Sequence, residues 1–145
     1  MDSNLNNLSN KILEQLYTDG SGYDILRYIA LPELLGAEKK TILYFMGKNI
    51  ARKFSFETIE EIQHAFRQLG WGNLELVKER SKSYTFHLMA DAVVYRIRAP
   101  FETEFRLESG FLAEAMQQIE RTECECVEKV NKRLHQVELK VILTI

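Results

Sequence analysis

Two cysteines, Cys124 and Cys126, are the residues of this sequence best suited to chemistry of their own. Thiolates bind zinc and take part in redox reactions, and a Cys-x-Cys pair can supply half of a metal site. Zinc needs about four ligands, however, and the sequence contains no second cysteine pair and no histidine pair at helical spacing. The alternation of these thiols with Glu123 and Glu125 predicts a β-strand whose cysteines share one face. We therefore expect both cysteines to face the core as small apolar side chains, and we expect no metal.

Isolated charged pairs are the next candidates for catalysis. Glu102 and Glu104 lie in an expected loop and could act as paired carboxylates, although solvated loop charges are the more common outcome. Arg96 and Arg98 could meet an anionic group or pair with Glu102 or Glu104 at the surface, and we favour the surface pairs. The sequence therefore predicts no catalytic residue.

The glycine motifs do not indicate nucleotide binding. Gly47-Lys48 lacks the upstream glycine and the following Ser or Thr of a phosphate-binding loop. Gly20-Ser21-Gly22 follows no strand, and no Gly-x-Ser-x-Gly nucleophile motif occurs. We expect no bound cofactor and no enzymatic activity.

The composition is that of a globular protein with a substantial core. The chain has 145 residues, of which 46% are hydrophobic, and we expect one domain over residues 1–145. The net charge of −2 argues against nucleic-acid binding. No apolar run approaches the roughly 18 residues of a membrane span, and the polar start does not resemble a secretory signal. We expect a cytoplasmic protein, a location that suits free thiols.

The first elements are expected to be short. Residues 1–22 predict a loosely ordered segment with a short amphipathic helix that ends at the turn of residues 19–22. Pro32 disfavours a helical conformation at Leu31. A longer helix is expected over residues 37–54.

This longer helix has apolar residues around its whole circumference, because residues 42–46 are all apolar or aromatic. Such a helix is buried on more than one side. Its second side could face another subunit, with Gly47 permitting close approach, or the helix could be central and wrapped by its own chain. The residues expected on a dimer or partner surface are Ile42, Tyr44, Phe45, Met46 and Ile50.

The rest of the chain predicts an α+β fold, with a helical layer packed on a mostly antiparallel sheet. A helix is expected over residues 57–69, capped at its start by Ser55 or by a Thr58–Glu61 capping box. The remaining expected elements are a strand pair over residues 74–88, a short extended segment over 92–97, a helix over 106–119 and a closing hairpin over 122–145.

Three segments in this order are distinctive: MGKNIARK at 46–53, FRQLGWG at 66–72 and SGFLA at 109–113, followed by the cysteine-bearing strand and the hairpin. Over residues 38–145 the chain resembles the YslB-type proteins of Gram-positive bacteria, a family without assigned function. More remotely it is similar to the four-vinyl-reductase-like domain and to the Bet-type subunits of TRAPP vesicle-tethering complexes. The resemblance implies the TRAPP Bet-type fold, which is also that of the NO-signalling and Golgi-transport ligand-binding domains, and it implies dimerisation.

Departures from these families limit what the resemblance implies. The second cysteine of the four-vinyl-reductase-like ending is missing after Cys126, so a metal or redox role does not follow. The turn at residues 53–56, where Bet-type subunits have an acylated cysteine, contains none. The haem-binding motif of the related nitric-oxide-binding domains is also missing, so we expect no haem.

Two functions therefore follow from the sequence. The first is a non-enzymatic, homodimeric interaction or scaffold module that uses the helix of residues 37–54. The alternative is a carrier or sensor of a small apolar ligand, held in a cavity between sheet and helices. The residues expected to line that cavity are Phe54, Phe66, Trp71, Phe86 and Phe111.

Overall fold

The fold comes from a computed structural model, which describes residues 20–99 and 102–144. The expected loose segment at residues 1–22 lies outside this part of the chain, apart from its last three residues. The described chain begins with a nearly continuous helical arm. Its parts are α1 (Ser21–Ile25), a π-helical stretch (Leu26–Ala30), α2 (Leu31–Leu35) and a 3₁₀ turn (Gly36–Glu38).

The helix expected before the turn of residues 19–22 lies outside the described residues, and a helix begins at Ser21. One expectation for this arm is wrong. Leu31 is helical, with φ −62° and ψ −44°, although Pro32 follows it. Pro32 lies just after the π-helical stretch, where the hydrogen-bond pattern of the arm changes.

Two helices follow the arm, α3 (Lys39–Ala51) and α4 (Ile59–Gln68). The start of α4 is fixed by the second of the two caps considered: the Thr58 side chain accepts from the Glu61 N–H, and the Glu61 carboxylate accepts from the Thr58 N–H. Hydrogen bonds from the Glu57 and Thr58 N–H groups lower the pKa of Glu61. The chain then turns at Gly70, whose φ of +75° suits glycine.

Four antiparallel strands form one sheet in the order β1-β2-β4-β3. The strands are β1 (Asn73–Glu79), β2 (Ser83–Met89), β3 (Cys124–Asn131) and β4 (Gln136–Leu143). Alternate residues of each strand point to the helices and form one core with them. The described part of the chain thus has the predicted α+β architecture, with helices packed on an antiparallel sheet.

The alternation in residues 92–97 predicted an extended segment, but these residues belong to helix α5 (Asp91–Arg98). The prediction was wrong because Tyr95 and Ile97 alternate with two arginines, as apolar residues do in a strand. The buried residues of α5 are Val93 and Arg96, three positions apart, which is the spacing of one helix face.

Helix α6 (Arg106–Glu120) lies at the centre of the domain, and its ten residues from Leu107 to Met116 are all buried. It crosses α3 at unusually short range. A Cβ atom at Gly47 would lie 2.1 Å from the Leu107 carbonyl oxygen, and one at Gly110 would lie 1.9 Å from the Tyr44 carbonyl oxygen. Gly47 therefore permits close approach of α6 from the same chain. The helix wrapped by its own chain is α6, and not α3.

Candidate functional site

Helix α3 has one half-circumference in the core and one in solvent. The core half consists of Leu43, Tyr44, Gly47, Lys48 and Ala51. On the solvent side lie Ile42, Phe45 and Met46, which are 36%, 54% and 37% exposed. Ile50 is half-buried at the border between the two sides. We call the surface of Ile42, Phe45 and Met46 the α3 stripe.

Phe54, beyond the end of α3, is a further exposed aromatic residue but lies on the side of the aromatic core. It is 44% exposed, and its ring stacks on Phe56 with 5.8 Å between ring centroids. The three side chains of the α3 stripe present roughly 250 Å² of apolar surface, slightly less than the largest patch on a typical monomer. Apolar side chains that are exposed together on one side of a helix are a common feature of interaction sites.

Tyr44 does not belong to this surface, although it was predicted there. It is 7% exposed, and its hydroxyl donates to the Glu125 carboxylate and accepts from the Cys126 N–H at 3.0 Å. Burial, together with the hydrogen bond to Glu125, raises the pKa of Tyr44. Because β3 is an edge strand, its outward N–H groups need partners, and Tyr44 satisfies that of Cys126.

Charged residues surround the Tyr44 ring where α3, α6 and β3 meet. The Lys48 ammonium lies 5.2 Å from the ring centroid and 2.9 Å from the Glu125 carboxylate. The Arg106 guanidinium lies 4.5 Å from the same centroid and binds Glu128 at 2.9 Å. Burial alone would raise the pKa of Glu125, but the hydrogen bonds from Tyr44 and Lys48 outweigh this effect. The pKa of Glu125 is therefore below its usual value, and the carboxylate stays ionised. The cluster thus joins α3 to the sheet edge.

Four of the five aromatic residues expected to line a cavity are buried in the core. Phe66, Trp71 and Phe111 pack edge to face, with 5.2–5.6 Å between their ring centroids. Phe86 is fully buried, and its ring stacks on that of Tyr84 at 6.5 Å.

Phe54, the fifth of these residues, lies at the surface. Its ring contacts Phe111 at 5.9 Å, so it covers the end of the aromatic cluster. The space between these rings is occupied by the rings themselves, as in an ordinary core.

A buried ion cluster ties the N-terminal arm to α6. Arg27, with a side chain 2% exposed, binds the Glu104 carboxylate at 2.7 Å and the Glu108 carboxylate at 2.5 Å. Burial alone would lower the pKa of Arg27, but the Glu108 charge and hydrogen bond raise it well above its usual value. Glu104 is therefore an ion-pair partner of a buried arginine, and Glu102 lies 3.8 Å from Lys39 and 4.0 Å from Lys40. The two carboxylates considered for catalysis serve separate ion pairs.

Arg96 is buried and binds Asp24 of α1 at 2.8 Å. The expected surface pair of Arg96 with Glu102 or Glu104 does not form, because α5 turns this side chain toward the arm. The Arg96 Nη1 atom is buried and has no hydrogen-bond partner among the described residues.

Both cysteines face the core, where they are free and buried. Burial raises the pKa of Cys124 to about 11, and it raises the pKa of Cys126 still further. Among the described residues, no group of three His, Cys, Asp or Glu side chains is placed to hold a metal ion. The thiols are thus packed, protonated side chains.

The ion pair between Arg27 and α6 was not predicted from the sequence. A signal was present, because Glu108 lies four residues before Leu112 and three before Phe111, on the apolar side of its helix. A carboxylate on such a face needs a buried cation.

A model of the family described as "Protein of unknown function (DUF2507)" matches residues 20–142. The uncharacterized protein YslB of Bacillus subtilis is 34% identical over 133 residues, which is 92% of this chain and 87% of YslB. No helix of the described residues is long and apolar enough to cross a membrane.

Two solved structures are similar in fold. A vinyl-4-reductase family protein from Methanocaldococcus jannaschii aligns with a TM-score of 0.57 and 19% identity over 94% of each chain. A trafficking protein particle complex subunit 3 from Naegleria fowleri, covalently bound to palmitic acid, aligns with a TM-score of 0.43 and 14% identity over 94% of this chain and 96% of that one. The first alignment shows a shared fold, and the second is too weak to support an argument about this chain. The predicted YslB-type resemblance is confirmed, and the chain belongs to the DUF2507 family of proteins of unknown function.

Proposed function

We propose that this protein is a non-enzymatic interaction module that acts as a homodimer. The observation behind this proposal is the α3 stripe, in which Ile42, Phe45 and Met46 are each more than one third exposed on the solvent side of the helix. Leaving the roughly 250 Å² of apolar surface of the α3 stripe in water is unfavourable by several kcal/mol at about 25 cal/mol per Å². Burial against a second subunit removes that cost.

A second copy of the chain fits this surface. In a two-fold symmetric dimer the same patch meets itself, so one apolar stripe is sufficient for both partners. A stable interface buries about 800 Å² per partner, and the stripe would form its apolar centre with polar helix residues around it. Phe45, the most exposed aromatic residue of α3, would be the main contact.

Several features support a role without catalysis. The carboxylates of the loop before α6 are engaged in ion pairs, and the thiols are buried and protonated. The rings of the aromatic cluster pack against one another, so no observation favours the carrier alternative. We also propose that the chain is one domain, because the described elements share one core, and that it works in the cytoplasm, where free thiols persist.

Sedimentation velocity of the wild type and of Phe45→Glu tests the proposal. We expect the wild type to sediment as a dimer at micromolar concentration, and the variant to be a folded monomer, because a carboxylate would be buried unpaired at the interface. Leu34→Glu is the matched control, since Leu34 is 80% exposed and lies outside the stripe. A wild type that is monomeric at every concentration, or a Phe45→Glu variant that still forms dimers, would refute the proposal.

A further inference from the structure

The sheet face that points away from the helices contains two adjoining clefts. The first has a volume of about 590 Å³ and is lined by Val77, Lys78, Arg80, Ser83, Thr85, His87, Glu138 and Lys140. The second has a volume of about 440 Å³ and is lined by Lys129, Val130, Asn131, Lys132, Gln136 and Glu138. Because Glu138 lines both, the clefts form one continuous surface along β4.

This surface is positively charged on a protein that is negatively charged overall. Its lining includes five Lys or Arg side chains and one carboxylate, whereas the whole chain has a net charge of −2. We call it the basic sheet face, and its cations are Lys78, Arg80, Lys129, Lys132 and Lys140. All five are exposed, and among the described residues none of them is in an ion pair.

A β-bulge adds one of these cations to the face. The register of β1 shifts between Leu76, which pairs with Phe86, and Lys78, which pairs with Thr85. Without the shift, Lys78 would point into the core like Leu76, because alternate strand residues share a face. The bulge places Val77 and Lys78 side by side in the first cleft.

The bulge also creates a symmetric arrangement across three strands. Thr85 is the cross-strand neighbour of Lys78 on one side and of Lys140 on the other. With strands about 4.8 Å apart, the two lysines stand roughly 10 Å apart with a hydroxyl between them. A carboxylate above Thr85 would be within reach of both ammonium groups and of the hydroxyl.

We propose that the basic sheet face binds an extended, acidic segment of a partner protein. The surface follows β4 from Lys140 to Gln136, about 14 Å at 3.4 Å per residue, which accommodates four or five extended residues. A bound nucleic acid strand would stack its bases on aromatic side chains, and neither cleft is lined by an aromatic ring other than His87. A concave cleft suits a peptide better than the flat surface of a membrane.

The test is fluorescence anisotropy with a fluorescein-labelled glutamate decamer at 50 mM and 200 mM salt. We expect the decamer to bind, binding to weaken at 200 mM salt, and Lys78→Glu/Lys140→Glu to lower the affinity at least tenfold. Lys53→Glu/Arg67→Glu makes the same charge change away from the sheet and should change the affinity less than twofold. Lys78→Gln/Lys140→Gln, a milder pair, should lower it about threefold if the reversal variant does not fold.

Three results would overturn the proposal. They are no binding of the decamer at 50 mM salt, equal affinity of the sheet-face and control variants, and tighter binding of a labelled ten-nucleotide oligodeoxythymidylate or of vesicles with 30% phosphatidylserine. The dimer proposal is tested separately, because Phe45→Glu changes the α3 stripe and should bind the decamer as the wild type does.

Discussion

Replacing Gly47 by Ala tests the close crossing of α3 and α6. The new Cβ atom would lie 2.1 Å from the Leu107 carbonyl oxygen and 2.8 Å from the Phe111 nitrogen. Both are backbone atoms, so no side-chain rotation relieves the overlap, and the helices must separate by about 1 Å to restore van der Waals contact. Such overpacking costs about 3 kcal/mol, and the better helix propensity of Ala returns about 1 kcal/mol.

We therefore expect Gly47→Ala to lower the free energy of unfolding by about 2 kcal/mol, and Tm by about 6 °C for a chain of this length. Urea denaturation followed by circular dichroism at 222 nm measures the first quantity. Gly22→Ala is the control, because no atom lies within 4 Å of its added Cβ. Gly110→Ala should act similarly, and the double variant should lose less than the sum, since one separation relieves both overlaps. A Gly47→Ala variant as stable as the wild type would refute this view of the helix crossing.

Three further predictions concern buried polar groups. Glu108→Gln leaves the Arg27 charge with less compensation and should cost about 3 kcal/mol in urea denaturation; an unchanged midpoint would contradict the buried pair. Tyr44→Phe removes the hydroxyl that accepts from the Cys126 N–H and should lower the free energy of unfolding by about 1–3 kcal/mol. An unchanged free energy of unfolding would contradict this role of the hydroxyl. Because burial raises the pKa of Cys124 to about 11 from its ordinary value near 9, its stabilising contribution is complete below pH 9 and is lost as the pH rises to 11. The difference in Tm between the wild type and Cys124→Ala should therefore be smaller at pH 10.5 than at pH 8. An equal difference in Tm at the two pH values would contradict this.

The sequence predicted those elements in which the local pattern of apolar and capping residues agrees with the tertiary packing. The alternation around Cys124 and Cys126 predicted an inward-facing strand, and the capping box at Thr58 appears in the sequence as it does in the structure. The all-round apolar character of residues 42–46 predicted two contacts for α3. The structure provides one of these, with α6 and the sheet, and leaves the other side exposed.

The remaining features depend on tertiary contacts that no local pattern contains. Residues 91–98 form a helix in which Arg96 binds Asp24, which is 72 positions earlier. Arg27 meets Glu108 across 81 positions, and the bulge at Val77 appears only when β1 pairs with β2. Tyr44 was predicted on the partner surface, but it is buried because its hydroxyl accepts a hydrogen bond from the Cys126 N–H of edge strand β3.

Native mass spectrometry of freshly purified protein, followed by the same sample after denaturation, tests the central claim most directly. We predict a species of two 16.9 kDa chains with no additional mass, which separates into single chains on denaturation. A single chain at every concentration would contradict the homodimer. An added mass that is lost on denaturation would contradict the filled aromatic core and restore the carrier hypothesis.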